Sequence, residues 1–316
     1  MRNNNSIAIV IPCYNVEKHI EKVVAGIPEF VDRVILVDDC STDGTSRILA
    51  RLQQGSSRIS SLCNATNQGV GGAMITGYKA TLEQQVDIVV KLDGDGQMDT
   101  SMIERLVDKM GPDIGYVKAN RLYDRKNLAT MPKLRRIGNV GIGFMIKAAS
   151  GYWSVTDPVN GFFAIRSSIL AQIDFSRLAK RYFFESSLLI ELFYTGARIK
   201  EVSMPAIYAD ETSHLSIGKT LFQFPPKLFC AWIRRLWLCY FVYDFNICSL
   251  YILVGLPSFL FGLIFGICQW VHYASMNCPS PTGTIMVAVL TFILGFQMLL
   301  SATQYDITSP NPFDKD

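Results

Sequence analysis

The sequence predicts an α/β chain built on a mostly parallel sheet and followed by a membrane-inserted helical hairpin. Three observations carry this reading. Short continuous apolar runs alternate with amphipathic stretches over residues 6–120, several of those runs end in Asp or Asn, and no Asp, Glu, Lys or Arg occurs between Asp244 and Asp306. Continuous apolar strands are buried on both faces, so helices must cover each side of the sheet, and ligand groups belong at the carboxyl ends of the strands.

Ile7 to Ile11 reads as the first strand, about Glu17 to Ile27 as a helix, Val34 to Val37 as a strand and Thr45 to Gln53 as a helix. Thr42 or Asp43 is placed to cap that second helix. A helix from Gly71 to Glu83 precedes a strand from Ile88 to Leu92; Asp99 to Met110 is then helical, Val117 to Asn120 and Gly161 to Arg166 extended, and Phe184 to Tyr194 helical. Residues 1–216 thus form one catalytic-sized domain. Over 217–246, Leu228, Phe229, Trp232, Ile233, Leu236, Trp237, Tyr240 and Phe241 recur about every four residues while Lys227, Arg234 and Arg235 fall elsewhere. That pattern suits amphipathic helices lying in a lipid headgroup region.

Residues 247–305 hold two apolar runs, about 250–273 and 285–302, each near the roughly 20 residues that cross a hydrocarbon core. The Asn277-Cys278-Pro279-Ser280-Pro281 break between them reads as a turn. Lys219, Lys227, Arg234 and Arg235 precede the first run and the turn carries no Lys or Arg, so both termini, including a 306–316 tail, are expected on the cytoplasmic side of an inner or plasma membrane.

The 316-residue chain has 30 Lys+Arg against 27 Asp+Glu, a formal charge of +3 that makes no case for nucleic acid. Its 49% hydrophobic and 18% charged residues exclude disorder, and a mean hydropathy of +0.23 is high for a soluble globule. The N-terminal apolar run, Ile7 to Ile11, is too short for an export signal. Eight cysteines without a Cys-x-x-Cys pair read as reduced thiols.

The sharpest chemical signal is Val90-Lys91-Leu92-Asp93-Gly94-Asp95-Gly96-Gln97, an apolar strand ending in two carboxylates. Residues two apart in an extended chain face one side about 6.6 Å apart, so Asp93 and Asp95 can address one hard divalent cation, with Gln97 adding an amide oxygen. Mg²⁺ or Mn²⁺ holding a diphosphate fits that donor set. A second strand delivers Asp38 and Asp39 to the same edge, where carboxylates can take ribose or base donors. A third ends in Pro12, Cys13, Tyr14 and Asn15. Asn67-Gln68-Gly69-Val70-Gly71-Gly72 opens a helix where backbone must approach something closely, but Met74 replaces the third glycine of a dinucleotide loop and no strand of convincing length precedes it.

Ile11-Pro12-Cys13-Tyr14-Asn15, Val37-Asp38-Asp39-Cys40-Ser41-Thr42-Asp43-Gly44-Thr45, Asn67-Gln68-Gly69 and Asp93-Gly94-Asp95-Gly96-Gln97, in this order and spacing, resemble the family 2 glycosyltransferases. The narrower resemblance is to the polyprenyl-phosphate glycosyltransferases, a group that includes dolichol-phosphate mannose synthases and bacterial undecaprenyl-phosphate sugar transferases. It implies a GT-A fold, a UDP- or GDP-sugar donor, Mg²⁺ or Mn²⁺, a polyprenyl phosphate acceptor and inversion at the anomeric carbon. It also implies that Pro12, Tyr14, Asn15, Asp38, Asp39 and Asn67 border the nucleotide, together with Asp93, while Asp93, Asp95 and Gln97 hold metal and diphosphate. Arg121 and Arg135, with Arg136 beside them, match the segment in which arginines receive the lipid phosphate. Asp157, Glu185 and His214 resemble further acceptor-side and active-site positions, with Ala209 where many relatives have glycine. A homo-oligomer is possible by the same analogy.

A polyprenyl phosphate is already an anionic nucleophile, so it needs positioning and charge neutralisation more than a strong general base. Four readings compete, one of them a channel or scaffold subunit in which the two spans matter most. A processive polysaccharide synthase would need more spans and a Gln-x-x-Arg-Trp motif, which the sequence lacks. A membrane-anchored transferase with a saccharide acceptor, or a tethered sugar-nucleotide-binding subunit without turnover, would keep the early motifs.

Overall fold

A computed structural model of the chain describes residues 4–121, 133–204 and 217–314, the side chains at 133–137, 139 and 217–221 excepted. Two compact units are present, Met1–Trp232 with Phe313–Asp316, and Ile233–Pro312.

The first unit is organised by seven strands: β1 (Ile7–Cys13), β2 (Arg33–Asp38), β3 (Ile59–Cys63), β4 (Ile88–Lys91), β5 (Tyr116–Asn120), β6 (Phe163–Arg166) and β7 (Ile199–Ser203). Their order in the sheet is β3-β2-β1-β4-β6-β5-β7. β1 pairs parallel with β2 and β4, β2 with β3, and β5 with β7, while β6 runs antiparallel to both of its neighbours. Because the reversed β6 lies between β4 and β5, those two strands point the same way. The carboxyl ends of β1, β2, β4 and β5 and the amino end of β6 therefore meet at one edge.

Helices α1 (Ile20–Ala25), α2 (Thr45–Gly55), α3 (Val70–Glu83), α4 (Met102–Asp108), α5 (Lys133–Ser150), α6 (Ser167–Leu170) and α7 (Phe184–Tyr194) cover the sheet. Successive strand residues face opposite sides, and the buried residues sort accordingly. Ile7, Ile9, Ile11, Val34, Leu36 and Val90 pack with Ile20 and Val23 of α1 and Ile103 and Leu106 of α4. Ala8, Val10, Ile35, Val37 and Val89 pack on the other face with Met74 and Tyr78 of α3 and Phe184 and Leu188 of α7. Gly77 lets α3 lie close to β1, since a Cβ there would stand 2.2 Å from Val10 Cγ1.

The expected strands and the Phe184 to Tyr194 helix are present, and besides the short α6 three elements have no counterpart in the sequence reading. β3 precedes the Asn67 loop, where no convincing strand was expected; β7 forms the far edge; and α5 is a helix through Gly138, Gly141 and Gly143. The stretch from residue 217 is helical as α8 (Ile217–Trp237) and continues in π-helical geometry over Leu238–Tyr243. Phe224 and Leu228 of α8 are buried in the second core cluster with Trp232 against it, whereas Phe222 and Phe229 are exposed.

The second unit contains α9 (Ile247–Ser275) and α10 (Thr282–Thr308), of 29 and 27 residues, both long and apolar enough to cross a membrane by length and composition. They pack antiparallel on glycines: a Cβ on Gly262 would meet Phe292 N at 2.4 Å, and one on Gly295 would meet Phe259 N at 2.3 Å. Small residues of this kind let helix backbones approach where lipid gives no hydrophobic drive to associate. Asn246 and Ser249 close a capping box at the start of α9. Both helices run beyond the apolar windows, and Asp306 lies inside α10. Its buried carboxylate accepts from Arg235 Nη1 at 2.8 Å and Nη2 at 2.6 Å, and from Tyr240 Oη at 2.7 Å.

Removing one partner of a buried ion pair leaves the other charge uncompensated, at a cost of about 3–5 kcal/mol. Asp306→Ala should therefore lower the thermal unfolding midpoint of the detergent-solubilised chain strongly. The double replacement Arg235→Met/Asp306→Leu, which removes both charges, should recover most of the loss.

Candidate functional site

Asp38 ends β2 and Asp39 follows it, both about 2% exposed. Asp38 Oδ1 accepts from Ser41 N at 2.9 Å, and its Oδ2 accepts from the Ser46 hydroxyl. Asp39 Oδ1 accepts from Asn64 Nδ2 at 2.8 Å and Gln68 N at 3.0 Å, and Oδ2 from Gly69 N at 2.7 Å. These carboxylates thus shape the 39–41 and 64–69 turns from within. Asn67 is half-buried in the second of those turns. The close approach expected at the glycines is real and is made to the chain at 179–181: a Cβ on Gly69, whose φ is +85°, would stand 2.7 Å from Lys180 O, and one on Gly71 2.1 Å from Ala179 O.

Beyond β1, Tyr14 is exposed and Asn15 has a φ of 53°. Asn15 Oδ1 accepts from Thr42 N at 2.8 Å, Val16 N donates to Thr45 Oγ1 at 2.9 Å, and Gly44 N donates to Glu17 Oε2 at 2.7 Å. The loops after β1 and β2 are therefore stitched together. Asp43 Oδ1 accepts from Thr45 N at 2.9 Å, but the N-cap position of α2 is held by Gly44 and by neither Thr42 nor Asp43, the two residues expected to cap it. Pro12 lies half-buried in β1 opposite Val37.

Beyond β4, Asp93 and Asp95 are half-buried at the shared edge. Asp95 Oδ1 accepts from Gln97 N at 2.9 Å. Asp93 Oδ1 accepts from Lys91 Nζ at 2.6 Å, and the same ammonium lies 3.3 Å from Glu185 Oε1 at the start of α7. Burial would push the Lys91 ammonium down, but the Asp93 and Glu185 carboxylates more than offset it and the net direction is up. Gly161, just before β6, roofs this group: a Cβ there would lie 2.6 Å from Lys91 Nζ and 3.3 Å from both Asp93 Oδ2 and Glu185 Oε1. Two carboxylates on one loop are oxygen donors of the kind a hard divalent cation takes. Among the described residues no three His, Cys, Asp or Glu side chains are grouped so as to hold a metal unaided. Asp93 and Asp95 with the Gln97 amide would leave the remaining positions of such an ion to a ligand's oxygens and water, the usual way Mg²⁺ is held beside a diphosphate.

At the end of β5, Arg121 donates to the buried Asp157 carboxylate through Nε at 3.0 Å and Nη2 at 3.2 Å, with 42% of the arginine side chain still exposed. Lys118, one turn of the pleat inside, donates to Asn160 O. Burial pushes Lys118 down to about 8, partly offset by Asp157 and Glu185 and reinforced by Lys91 and Arg121. Along the edge the groups thus run from Asp38 and Asp39, past Tyr14 and Asn15, to Asp93 and Asp95, then Gly161, then Asp157 with Arg121. The side chains of Arg135 and Arg136, on α5, and the whole of His214 lie outside the described residues. Lys91 and Lys118 were not singled out in the sequence. The available signal was a lysine interrupting an otherwise apolar strand, a charge that burial permits only when paired.

Residues 8–174 match the family model described as Glycosyl transferase family 2. The chain is 33% identical over 218 residues to the UDP-N-acetylglucosamine–dolichyl-phosphate N-acetylglucosaminyltransferase of Methanococcus voltae, covering 65% of this chain and 86% of that relative. It is 27% identical over 233 residues to the dolichol-phosphate mannosyltransferase of Pyrococcus furiosus, covering 69% of this chain and 61% of the other. Among solved structures, glucosyl-3-phosphoglycerate synthase from Mycobacterium tuberculosis in complex with UDP superposes with a TM-score of 0.53 at 22% identity, over 73% of this chain and 80% of that one. Another crystal of the same enzyme holds Mn²⁺ and UDP. With a carboxylate-lined strand edge, this sheet order and these matches, the chain has a GT-A fold and belongs to glycosyl transferase family 2 as a glycosyltransferase.

Proposed function

We propose that the protein transfers a sugar from a UDP- or GDP-sugar to the phosphate of a polyprenyl phosphate, with inversion, at the cytoplasmic face of a membrane. The observation that carries the reading is the order of groups along the sheet edge. Asp93 and Asp95 follow β4 and Arg121 follows β5, two strand spacings or about 10 Å away, with Gly161 between them. That separation suits a donor diphosphate at one end, an acceptor phosphate at the other and a sugar over the glycine. The names of the relatives, which act on dolichyl phosphates, support the acceptor class. Helices α9 and α10 supply apolar length for a lipid substrate's environment, and the expected interfacial role of residues 217–246 belongs to the same reading.

Asp93, Asp95 and Gln97 would hold Mg²⁺ or Mn²⁺ with the donor diphosphate. When bound, such an ion offsets the negative charge that grows on the departing nucleoside diphosphate. Tyr14 and Asn15, with Pro12, border the nucleoside from the β1 loop, while Asp38, Asp39 and Asn67 shape the turns around it. Lys91 fixes the rotamers of Asp93 and Glu185 before substrate arrives, which is preorganisation rather than proton transfer. Arg121, with Arg135 and Arg136 expected nearby, orients the acceptor phosphate by paired N–H donors. An acceptor phosphate oxygen then forms the bond to the anomeric carbon as the bond to the diphosphate oxygen breaks. The electron pair leaves on the nucleoside diphosphate, and no hydroxyl proton has to be removed.

Incubating the detergent-solubilised chain with undecaprenyl or dolichyl phosphate, Mg²⁺ or Mn²⁺ and a panel of radiolabelled UDP- and GDP-sugars should carry label into the organic phase with one donor. Chelation of the metal should abolish it. Nucleoside diphosphate release that requires a saccharide acceptor instead would overturn the lipid-phosphate reading. Asp95→Asn should lower kcat by about 100-fold while the chain still folds, as judged by an unchanged unfolding midpoint. Gly161→Ala should cost at least about tenfold in kcat, because the new methyl must displace Lys91, Asp93 or Glu185 and misplaced groups lose catalysis steeply.

A further inference from the structure

Glu201 lies on β7, in parallel register with Lys118 of β5, and belongs to none of the sequence motifs. Its Oε1 accepts from Thr156 N at 2.9 Å and Asp157 N at 3.2 Å, and its Oε2 accepts from Asn120 Nδ2 at 2.9 Å. One carboxylate thus fixes both sides of the gap between the end of β5 and the loop ahead of β6. The same two segments carry the Arg121–Asp157 pair: Asp157 takes Arg121 Nε, Nη2 and, at 3.3 Å, the Arg121 backbone N. The chain of contacts runs from Glu201 to the backbone of 156–157, from there to the Asp157 carboxylate, and on to the guanidinium.

We propose that Glu201 is a positioning residue for acceptor binding: by anchoring the 156–157 backbone and Asn120, it holds Asp157 where it aims the exposed side of the Arg121 guanidinium at the acceptor's phosphate. This rests on the reading of Arg121 as a lipid-phosphate ligand. The physical reason is geometric. A guanidinium binds an oxyanion well only when its plane is set, because its donors lie in a rigid fork. Two of those donors are set here by Asp157, and Asp157 is in turn fixed by a residue on a strand, an element more rigid than the loop it braces. Two hydrogen-bonded backbone N–H groups and a side-chain amide would lose their acceptor together if the carboxylate were removed, so the loop would move as a piece.

The test compares Glu201→Ala, Glu201→Gln and Arg121→Ala in the full detergent-solubilised chain with Mg²⁺ or Mn²⁺, measuring KM for undecaprenyl phosphate, KM for the sugar nucleotide, and nucleoside diphosphate binding by calorimetry. Glu201→Ala should raise the KM for undecaprenyl phosphate about tenfold, in the same direction as Arg121→Ala, with nucleoside diphosphate binding within about twofold of the parent. Glu201→Gln, whose amide oxygen can accept from Thr156 and Asp157, should recover most of the acceptor affinity once the Asn120 amide turns its oxygen to the new NH₂. An acceptor KM raised by Arg121→Ala but untouched by Glu201→Ala would overturn the inference and leave the proposed function standing. Equal losses of acceptor and nucleoside diphosphate affinity in Glu201→Ala would also overturn it, since they mark a general structural role. If the parent chain glycosylates no undecaprenyl phosphate with any donor, the functional reading falls and takes the inference with it.

Discussion

The Lys91 ammonium, buried beneath the edge of the sheet, is the charge around which the site is arranged. A carboxylate at the end of β4 and another at the start of α7 both reach it, at 2.6 and 3.3 Å. Two carboxylates converging on a partly dehydrated pocket would repel one another, and an isolated buried lysine would favour its neutral form. Together they form a mutually compensated group whose positions are set before any ligand binds. The strand–helix arrangement serves this contact: β4 delivers Lys91 and Asp93, α7 packs its Phe184 into the core directly before Glu185, and the missing side chain at Gly161 leaves room for the group beneath it.

The same logic of paired charges recurs at the other end of the edge and in the second unit. Arg121 is joined to Asp157 and Arg235 to Asp306, each through two nitrogens. The two pairs differ in what they leave exposed. Arg235 and Asp306 are both buried, so that pair can only hold structure. Asp157 is buried while Arg121 keeps 42% of its side chain exposed, so that pair fixes one edge of the guanidinium without enclosing the side chain.

How far the sequence was legible depended on what each residue was doing. Central strands β1, β2 and β4 announced themselves because they are apolar on both faces. β3 did not, because it is an edge strand whose Ser60 and Ser61 interrupt the apolar signal, and β7, the opposite edge, carries Lys200, Glu201 and Ser203 in five residues. α5 was hidden by its glycines. The reversal of β6 was unreadable, since an apolar run of four carries no sign of direction. At the site, the acids were found because they end strands, but their partners were not: Asp39 looks from the sequence like a residue facing a ligand, yet its carboxylate is filled by Asn64, Gln68 and Gly69. Glu201 gave no signal at all, because a glutamate on an edge strand is ordinarily a solvated one.

That contrast has a consequence for how such an edge achieves specificity. The side chains proposed to meet substrate, among them Asn15, Asp93, Asp95 and Arg121, sit on loops beyond strand ends, which are poor at holding angles. Here each of those loops is tied by a further group: Thr45 and Glu17 between the β1 and β2 loops, Lys91 beneath Asp93, Glu201 behind Asp157. Under the proposed function, a phosphate acceptor makes this bracing the main demand on the protein. With no proton to remove, the remaining barrier is one of approach, alignment and charge, and those are the quantities that fixed partners control. The end of the edge proposed for the acceptor is accordingly where the bracing is deepest, running from a strand through a loop backbone and a buried carboxylate before it reaches the arginine.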